Sequence, residues 1–458
     1  MKKILFALLA CALLANAQNK NFRFAWLTDT HVGSETGAED LRRSVRDINR
    51  MKDIAFVIHS GDVTEMGSTS ELILAKSILD SLRVPYYIVP GNHDVKWSES
   101  GCSTFPRLWK DDKFTFEYAG VRFIGCASGP NMRQGDGHVP EEDVRWFDRL
   151  VTRLKTKPTP VIFINHYPLD EGLDNWYEIT DRLRHVRTIA ALCGHGHANR
   201  ALEFEGLPGV MGRSNLRAKN AVGGYTIVSV RKDSLTFSER TPDVEHAAPG
   251  AGASEAVPNA MKEWHAIAND PARALSTLSR TYKRPDYSVN TVYKNVREVW
   301  KVSTGFTIGS SPAVAAQTVI VGNNKGAIEG YMLSSGKKKW SIQTKGSVYS
   351  TAAVAEGAGQ EAANTARIVV GSSEGALYCI DPGRGRILWK HEARGPIVAS
   401  PAISGDTVFC GASDGTFRAL SLRSGRTFWE YPDVSGFVES TPLIYQNRVI
   451  FGAWDSYL

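Results

Sequence analysis

Between residues 22 and 241, short apolar runs alternate with stretches whose apolar residues recur every three or four positions. FRFAWLT (22–28), IAFVI (54–58), YYIV (86–89), FTFEYAGVRFIGC (114–126), VIFIN (161–165) and TIAALC (188–193) read as strands. Between them Leu41, Val45 and Ile48 keep helical spacing, as do Leu74, Ile78 and Leu82, and Val144, Phe147 and Val151. The alternation predicts an α/β domain with strands sandwiched between helices. GYTIVSVRKDSLTFSER (224–240) reads as its closing hairpin. Residues 242–260 are rich in Ala, Gly and Pro and have no period, which is the texture of a linker. A helix is expected to follow at 261–281.

From Trp300 the texture becomes a repeat. SSPAVAAQTVIVGNNKGAIEGYMLSSGKKKW (310–340) returns as STAAVAEG…ARIVVGSSEGALYCIDPGRGRILW (350–389) and again as SPAISGDTVFCGASDGTFRALSLRSGRTFW (400–429). With tryptophans at 300, 340, 389 and 429 the period is about 40 residues, with one insertion near EGAGQEAANTA. Several short strands and Gly turns per unit are the signature of a propeller. The units resemble blades of pyrroloquinoline quinone (PQQ)-dehydrogenase-type propellers, a group that includes envelope assembly proteins without a cofactor. About four units are present. The last, STPLIYQNRVIFGAWDSYL, is unfinished, so truncation is favoured over completion by the strand around Trp300.

With 458 residues, 42% of them hydrophobic and 22% charged, the chain has ordinary globular composition and is too long for one typical core. The formal charge of +6 is spread along the chain and gives no reason to expect a nucleic-acid partner. MKKILFALLACALLANAQ has the charged start, apolar run and small-residue end of a secretory signal, with cleavage after Ala17. The chain stays apolar after Cys11, so simple export is favoured over a lipid anchor there. No stretch is long and apolar enough to span a bilayer. Five widely spaced cysteines remain after processing and make no disulfide framework; Cys126 and Cys193 sit in apolar runs and read as core. The expected organisation is a signal peptide (1–17), an α/β domain (18–241), a linker with a helix (242–299) and propeller repeats (300–458).

The candidate chemistry lies in five clusters: DTH (Asp29, His31), GD (Gly61, Asp62), GNHD (Gly91 to Asp94), NH (Asn165, His166) and GHGH (Gly194 to His197). Each stands at or just after the end of a predicted strand, where sites form in α/β sheets. Carboxylates and neutral imidazoles suit zinc, manganese and iron, and a carboxylate can bridge two ions about 3.5–4 Å apart. Gly61 and Gly91 permit tight turns beside the site. Isolated histidines (His59, His138, His185, His246, His265 and His391) read as structural, with His59 a candidate support behind the site. Asp94 reads as a helix cap, and Asn165 as a residue that positions His166.

The order D-x-H, GD, GNH-D/E, H, GH-x-H resembles that of the calcineurin-like metallophosphoesterase superfamily over residues 22–241. GDVTEMGSTSEL and PGNHDV are most similar to the branch of class III cyclic-nucleotide and other phosphodiesterases. The resemblance implies a metallophosphoesterase sandwich, two β-sheets flanked by helices, ahead of the incomplete all-β propeller. It also implies two divalent or trivalent ions (Fe, Mn or Zn). Asp29, His31 and His197 would ligate one ion, Asn92, His166 and His195 the other, and Asp62 would bridge. A metal-acidified hydroxide would attack phosphorus in line, with His93 as general acid for the leaving oxygen. Asn92, Tyr167, Trp176 and Arg200 are candidate substrate contacts. The substrate expected is a small-molecule or envelope phosphate ester. PQQ binding is not expected, because blade resemblance alone does not carry a cofactor; the propeller is expected to dock a protein or glycan. The alternative is an envelope scaffold or binding protein in which the metal domain is incidental.

Overall fold

The computed structural model describes residues 21–129, 135–242, 260–269, 282–293, 295–357 and 365–458. The signal-peptide reading at 1–17 and all but the two end residues of the 242–260 linker lie outside them. The chain divides into two units, one running to Ser98 and resuming at Thr104–Pro285, the other formed by Glu99–Ser103 and Asp286–Leu458.

In chain order the first unit contains β1 (Phe22–Leu27), α1 (Gly37–Arg50), β2 (Ile54–His59), α2 (Thr69–Leu79), β3 (Tyr86–Ile88), α3 (Asn92–Lys96), α4 (Thr104–Trp109), β4 (Phe114–Tyr118), β5 (Val121–Gly125), α5 (Glu141–Thr156), β6 (Val161–Ile164), α6 (Trp176–Leu183), β7 (Thr188–Cys193), β8 (Arg200–Phe204), β9 (Leu207–Met211), β10 (Tyr225–Val230), β11 (Ser234–Thr241) and β12 (Ala260–Ala268). They build two six-stranded sheets, ordered β12-β11-β10-β1-β2-β3 and β4-β5-β6-β7-β9-β8. Each contains a parallel run: β1, β2 and β3 in one, and β5, β6, β7 and β9 in the other. Parallel strands covered on both faces have no solvent side, which is why they read as nearly continuous apolar runs. Phe24, Trp26, Phe56 and Ile58 of the first sheet pack with Phe123, Ile162, Ile164 and Leu192 of the second in one buried layer. Each such side chain contributes roughly 1.5–3 kcal/mol on burial. The other face of the second sheet is covered by Val144, Phe147 and Val151 of α5 and by Trp176, Ile179 and Leu183 of α6.

Two elements depart from the sequence reading. In α2 the capping box of Ser68 and Glu71 sets the helix start. The buried stripe is then Leu72, Ala75, Ile78 and Leu79; Leu74 is 37% exposed and Leu82 lies beyond the helix end. The helix expected at 261–281 is replaced over Ala260–Ala268 by a strand, while residues 270–281 lie outside the described ones. The local pattern AMKEWHAIA suits either element. The open edge of β11 decides, pairing along its length from Thr241↔Ala260 to Ser234↔Ala268. Beyond it, Arg284 pairs with Glu205 and Asp181 and lies over the Trp176 ring at 4.2 Å, so the first unit extends well past 241.

The second unit holds three four-stranded antiparallel sheets, β13 (Ala313–Ala315) to β16 (Lys338–Gln343), β17 (Ala353–Ala355) to β20 (Arg386–Glu392) and β21 (Ala402–Ser404) to β24 (Thr427–Tyr431). A two-stranded sheet of β25 (Leu443–Tyr445) and β26 (Arg448–Ile450) follows. The repeat tryptophans join consecutive repeats. The indoles of Trp300, Trp340 and Trp389 donate to the carbonyls of Leu333, Pro382 and Leu422 at 2.8, 2.9 and 2.8 Å. Each ring covers a glycine turn of the following repeat, at Gly336, Gly385 and Gly425. A second latch repeats as well. Glu374, Asp414 and Asp455 accept the main-chain N–H groups of Lys345, Arg394 and Ser435, respectively.

Candidate metal centre

All five motif loops begin where a parallel strand of the first unit ends: β1, β2, β3, β6 and β7. The loops are tied by main-chain bonds. Asp29 N donates to Gly61 O at 2.9 Å, Thr30 N to Asp62 O at 2.8 Å, and Gly194 N to His166 O at 2.9 Å. Asp29, His31, Asp62, His195 and His197 all adopt left-handed backbone, with φ from 43° to 69°. Asp and His tolerate this region better than most residues, at a cost of about 1–3 kcal/mol each that the surrounding bonds must hold. Close approach explains two glycines. A Cβ on Gly91 would lie 2.2 Å from Asp62 Oδ1, and one on Gly194 would lie 2.0 Å from Thr28 Oγ1.

The side chains converge in two groups that share Asp62. Ligand atoms of Asp29, His31, Asp62 and His197 lie within 4.8 Å of one another, as do those of Asp62, His166 and His195. His31 Nε2 and His197 Nε2 are 3.2 Å apart, and His197 Nε2 is 3.3 Å from Asp29 Oδ1. His166 Nε2 is 3.1 Å from Asp62 Oδ2. Asn92 Oδ1 lies 3.1 Å from His166 Nε2 and 2.9 Å from His195 Nδ1. The donor set fits two ions: carboxylate, imidazole and amide oxygen meet, and a carboxylate stands in both groups.

The same convergence sets the electrostatics of the metal-free site. Burial works against the charged form of Asp29, yet the hydrogen bond with His197 and the charge of His166 hold its carboxyl below the usual range. Burial is likewise outweighed at Asp62, chiefly by His166, which keeps it ionised. His166 is buried too, but Asp62 raises it to about 9. Burial lowers His195 to about 4 and pushes His31 down.

The supporting residues separate from the converging ones. Asp94 is fully buried and accepts from Gly91 N, Val63 N, Thr64 N and Thr64 Oγ1 at 2.7–3.0 Å, tying the GD loop to the GNHD loop. His59 accepts from Gly61 N at 3.2 Å through Nδ1 and lies 3.0 Å from Thr30 Oγ1 through Nε2. Asn165 donates to Tyr167 O at 2.6 Å. Ser128, unmarked by any motif, accepts from the main chain of His166 and Tyr167 at 3.0 and 3.1 Å. His93 stands beside the groups. Its N–H donates to Asp62 Oδ1 at 2.8 Å, and its ring lies 4.5 Å from that of His31 and 4.6 Å from that of Trp97.

The candidate substrate contacts divide. Tyr167 stacks on His195 with ring centres 4.2 Å apart. Arg200 is exposed at the start of β8, three residues beyond His197. Trp176 must be withdrawn as a substrate contact: it is 2% exposed, built into the α5–α6 core and covered by Arg284. An indole at a helix start packs inward when that face meets a sheet.

Residues 22–199 match the family profile of the calcineurin-like phosphoesterases, and residues 343–456 match that described as outer membrane protein assembly factor BamB. The chain is 26% identical over 195 residues to the probable glycerophosphodiester phosphodiesterase GpdQ of Arcobacter nitrofigilis, covering 37% of this chain and 70% of that protein. It is 27% identical over 151 residues to the outer membrane protein assembly factor BamB of Francisella tularensis, covering 32% of this chain but only 33% of that protein. Among solved structures, a dimetal phosphatase from Danio rerio aligns with a TM-score of 0.40 and 14% identity, over 53% of this chain and 99% of that one.

Proposed function

We propose that this chain, a calcineurin-like phosphoesterase domain followed by BamB-like repeats, is an exported phosphodiesterase that works with two metal ions. The observation that carries the reading is the convergence of Asp29, His31, Asp62, Asn92, His166, His195 and His197 on two groups sharing one carboxylate. Relatives named as glycerophosphodiester phosphodiesterases favour a diester with a small alcohol as leaving group. Export is supported by the charged, apolar and small-residue order of the first 17 residues and by the similarity to an outer-membrane assembly factor. No helix among the described residues is long and apolar enough to cross a membrane.

Two ions held here would acidify a water and neutralise charge growing on the phosphoryl oxygens. Asp62 would bridge them; Asp29, His31 and His197 would hold one ion, and Asn92, His166 and His195 the other. His93 has its Nδ1 2.6 Å from Glu65 O, which holds a proton on that nitrogen, so a second proton carried on Nε2 is the one that would pass to the leaving oxygen. Tyr167 is positioned to shape the substrate side by its stacking on His195. The repeats act as an accessory module for a protein or glycan partner.

The test is hydrolysis by the purified chain with added Mn²⁺ or Zn²⁺ on bis-p-nitrophenyl phosphate, its monoester and a glycerophosphodiester. Turnover that favours diesters and vanishes in Asp62→Ala is the expected outcome. If the metal-loaded protein turns over nothing on a broad phosphoester panel, the scaffold reading replaces this one.

A further inference from the structure

Glu65 belongs to none of the five motifs, yet it touches two of the histidines they supply. We infer that Glu65 is a positioning residue of the metal centre, holding His31 in the Nδ1–H tautomer through its carboxylate and His93 in the same tautomer through its main-chain oxygen. The inference rests on the metal-centre reading above for its purpose, though not for its geometry.

His31 is nearly sealed, its side chain 3% exposed. Its Nε2 faces the converging ligands, 3.2 Å from His197 Nε2 and 4.0 Å from Asp62 Oδ2. Nδ1 points the other way and is buried without a hydrogen bond from any other group. The atom nearest to satisfying it is Glu65 Oε2, at 2.9 Å. That contact is close, though the two atoms do not share a hydrogen bond. A buried imidazole nitrogen left unpaired is costly, so pairing with the carboxylate beside it is favoured. An N–H at Nδ1 then leaves the Nε2 lone pair for an ion, and a carboxylate behind a ligating imidazole both orients the ring and raises its basicity.

Glu65 is itself held in place. Its N–H donates to Val32 O at 3.0 Å, and Val32 is bridged to Thr64, whose side chain and N–H are tied to Asp94. The same short bridge therefore carries His31 on one side and Glu65 on the other. On the second histidine, Glu65 O lies 2.6 Å from His93 Nδ1; a carbonyl only accepts, so the proton sits on Nδ1. The competing role is direct ligation, since Glu65, His31 and His93 form a third group with ligand atoms within 4.8 Å. Geometry favours positioning. Glu65 lies on the Nδ1 side of His31, whereas Asp62 and His197 lie on its Nε2 side. The Glu65 side chain is 37% exposed, so its charge is screened, and pairing with His31 would supply orientation more than charge. Glutamine can accept the same bond.

Equilibrium dialysis of the full chain against Zn²⁺, with bound metal counted, is to be run on wild type, Glu65→Gln and Glu65→Ala. ¹⁵N-histidine NMR of the metal-free proteins reads the tautomers. The expected result is two ions in wild type and in Glu65→Gln, with one of the two bound about 10–100-fold more weakly in Glu65→Ala. His31 should be Nδ1–H in wild type and lose that preference in Glu65→Ala. Unchanged affinity for both ions in a folded Glu65→Ala protein overturns the inference, as does an Nε2–H tautomer of His31 in wild type. A third ion that disappears in Glu65→Ala makes Glu65 a ligand and overturns it too. A wild type that binds no zinc removes the metal-centre reading instead, and the tautomer still decides Glu65 separately.

Discussion

Asn92, His93 and Asp94 are consecutive, and their surroundings give them three tasks. Asn92 places its carbonyl oxygen between two imidazoles, Asp94 turns inward to gather four hydrogen bonds, and His93 keeps one ring nitrogen uncommitted. His93→Ala should therefore retain both ions and lose about 10²–10⁴-fold in rate, most with poor leaving groups, as steady-state kinetics across substrates would read. Loss of an ion would show instead that His93 is a ligand. Asp94→Ala leaves the GD loop donors unpaired in the interior and should cost about 3 kcal/mol or more in stability, measured by denaturant unfolding. His166 provides a pH dependence. Its proton is held up to about 9 by Asp62 in the metal-free site, and an ion must displace it. Metal affinity should thus strengthen as pH rises towards that value. Calorimetric heats that vary with the buffer would register the released proton; buffer-independent heats would contradict it.

At the scale of elements, the repeats are joined by an indole covering a glycine. Gly385 has φ +68°, and a Cβ there would lie 2.4 Å from the Trp340 ring. Gly385→Ala should lower the unfolding temperature of the repeats and quench or shift tryptophan fluorescence, whereas Gly405→Ala, with φ +57° but nothing near its Cβ, should cost only the backbone strain. The tryptophan spacing that announces these joints is plain in the sequence, because each repeat must solve the same packing problem with the same residues. The latch is less visible. Lys325 stands in the first repeat where Glu374 and Asp414 stand in the next two, so the acid that grips the neighbouring repeat is missing from the first turn. Helix α2 shows the limit of periodicity: Leu72, Leu74, Ile78, Leu79 and Leu82 offer two overlapping stripes, and the capped start together with the surface beneath selects one.

For the whole molecule the first question is where the catalytic unit ends. Strand β12 and the Arg284 pairings place residues 260–269 and 282–285 with the α/β unit rather than in a linker. A fragment of residues 21–285 should fold and keep diester hydrolysis. One ending at 241 exposes the β11 edge and Trp176 and should aggregate or melt at lower temperature. Equal stability of the two fragments would show that β12 contributes little. Chelation of the full chain should abolish turnover reversibly, with Mn²⁺ or Zn²⁺ restoring it.

Some of this was determined by the sequence alone. Five polar clusters follow apolar runs in one order, and strands covered on both faces leave no ambiguity about where they lie. The 40-residue period likewise marks the blades, because repetition multiplies a weak local signal. Tertiary structure decided the rest. AMKEWHAIA became a strand because an edge with free N–H and C=O groups stood open beside it. Trp176 went inward because a sheet and Arg284 were there to cover it. Glu65 gained its neighbours because residues 31, 65 and 93 meet only when three strands lie side by side. Local pattern specifies an element and its faces; which face or edge finds a partner depends on chain that is distant in sequence and close only after folding.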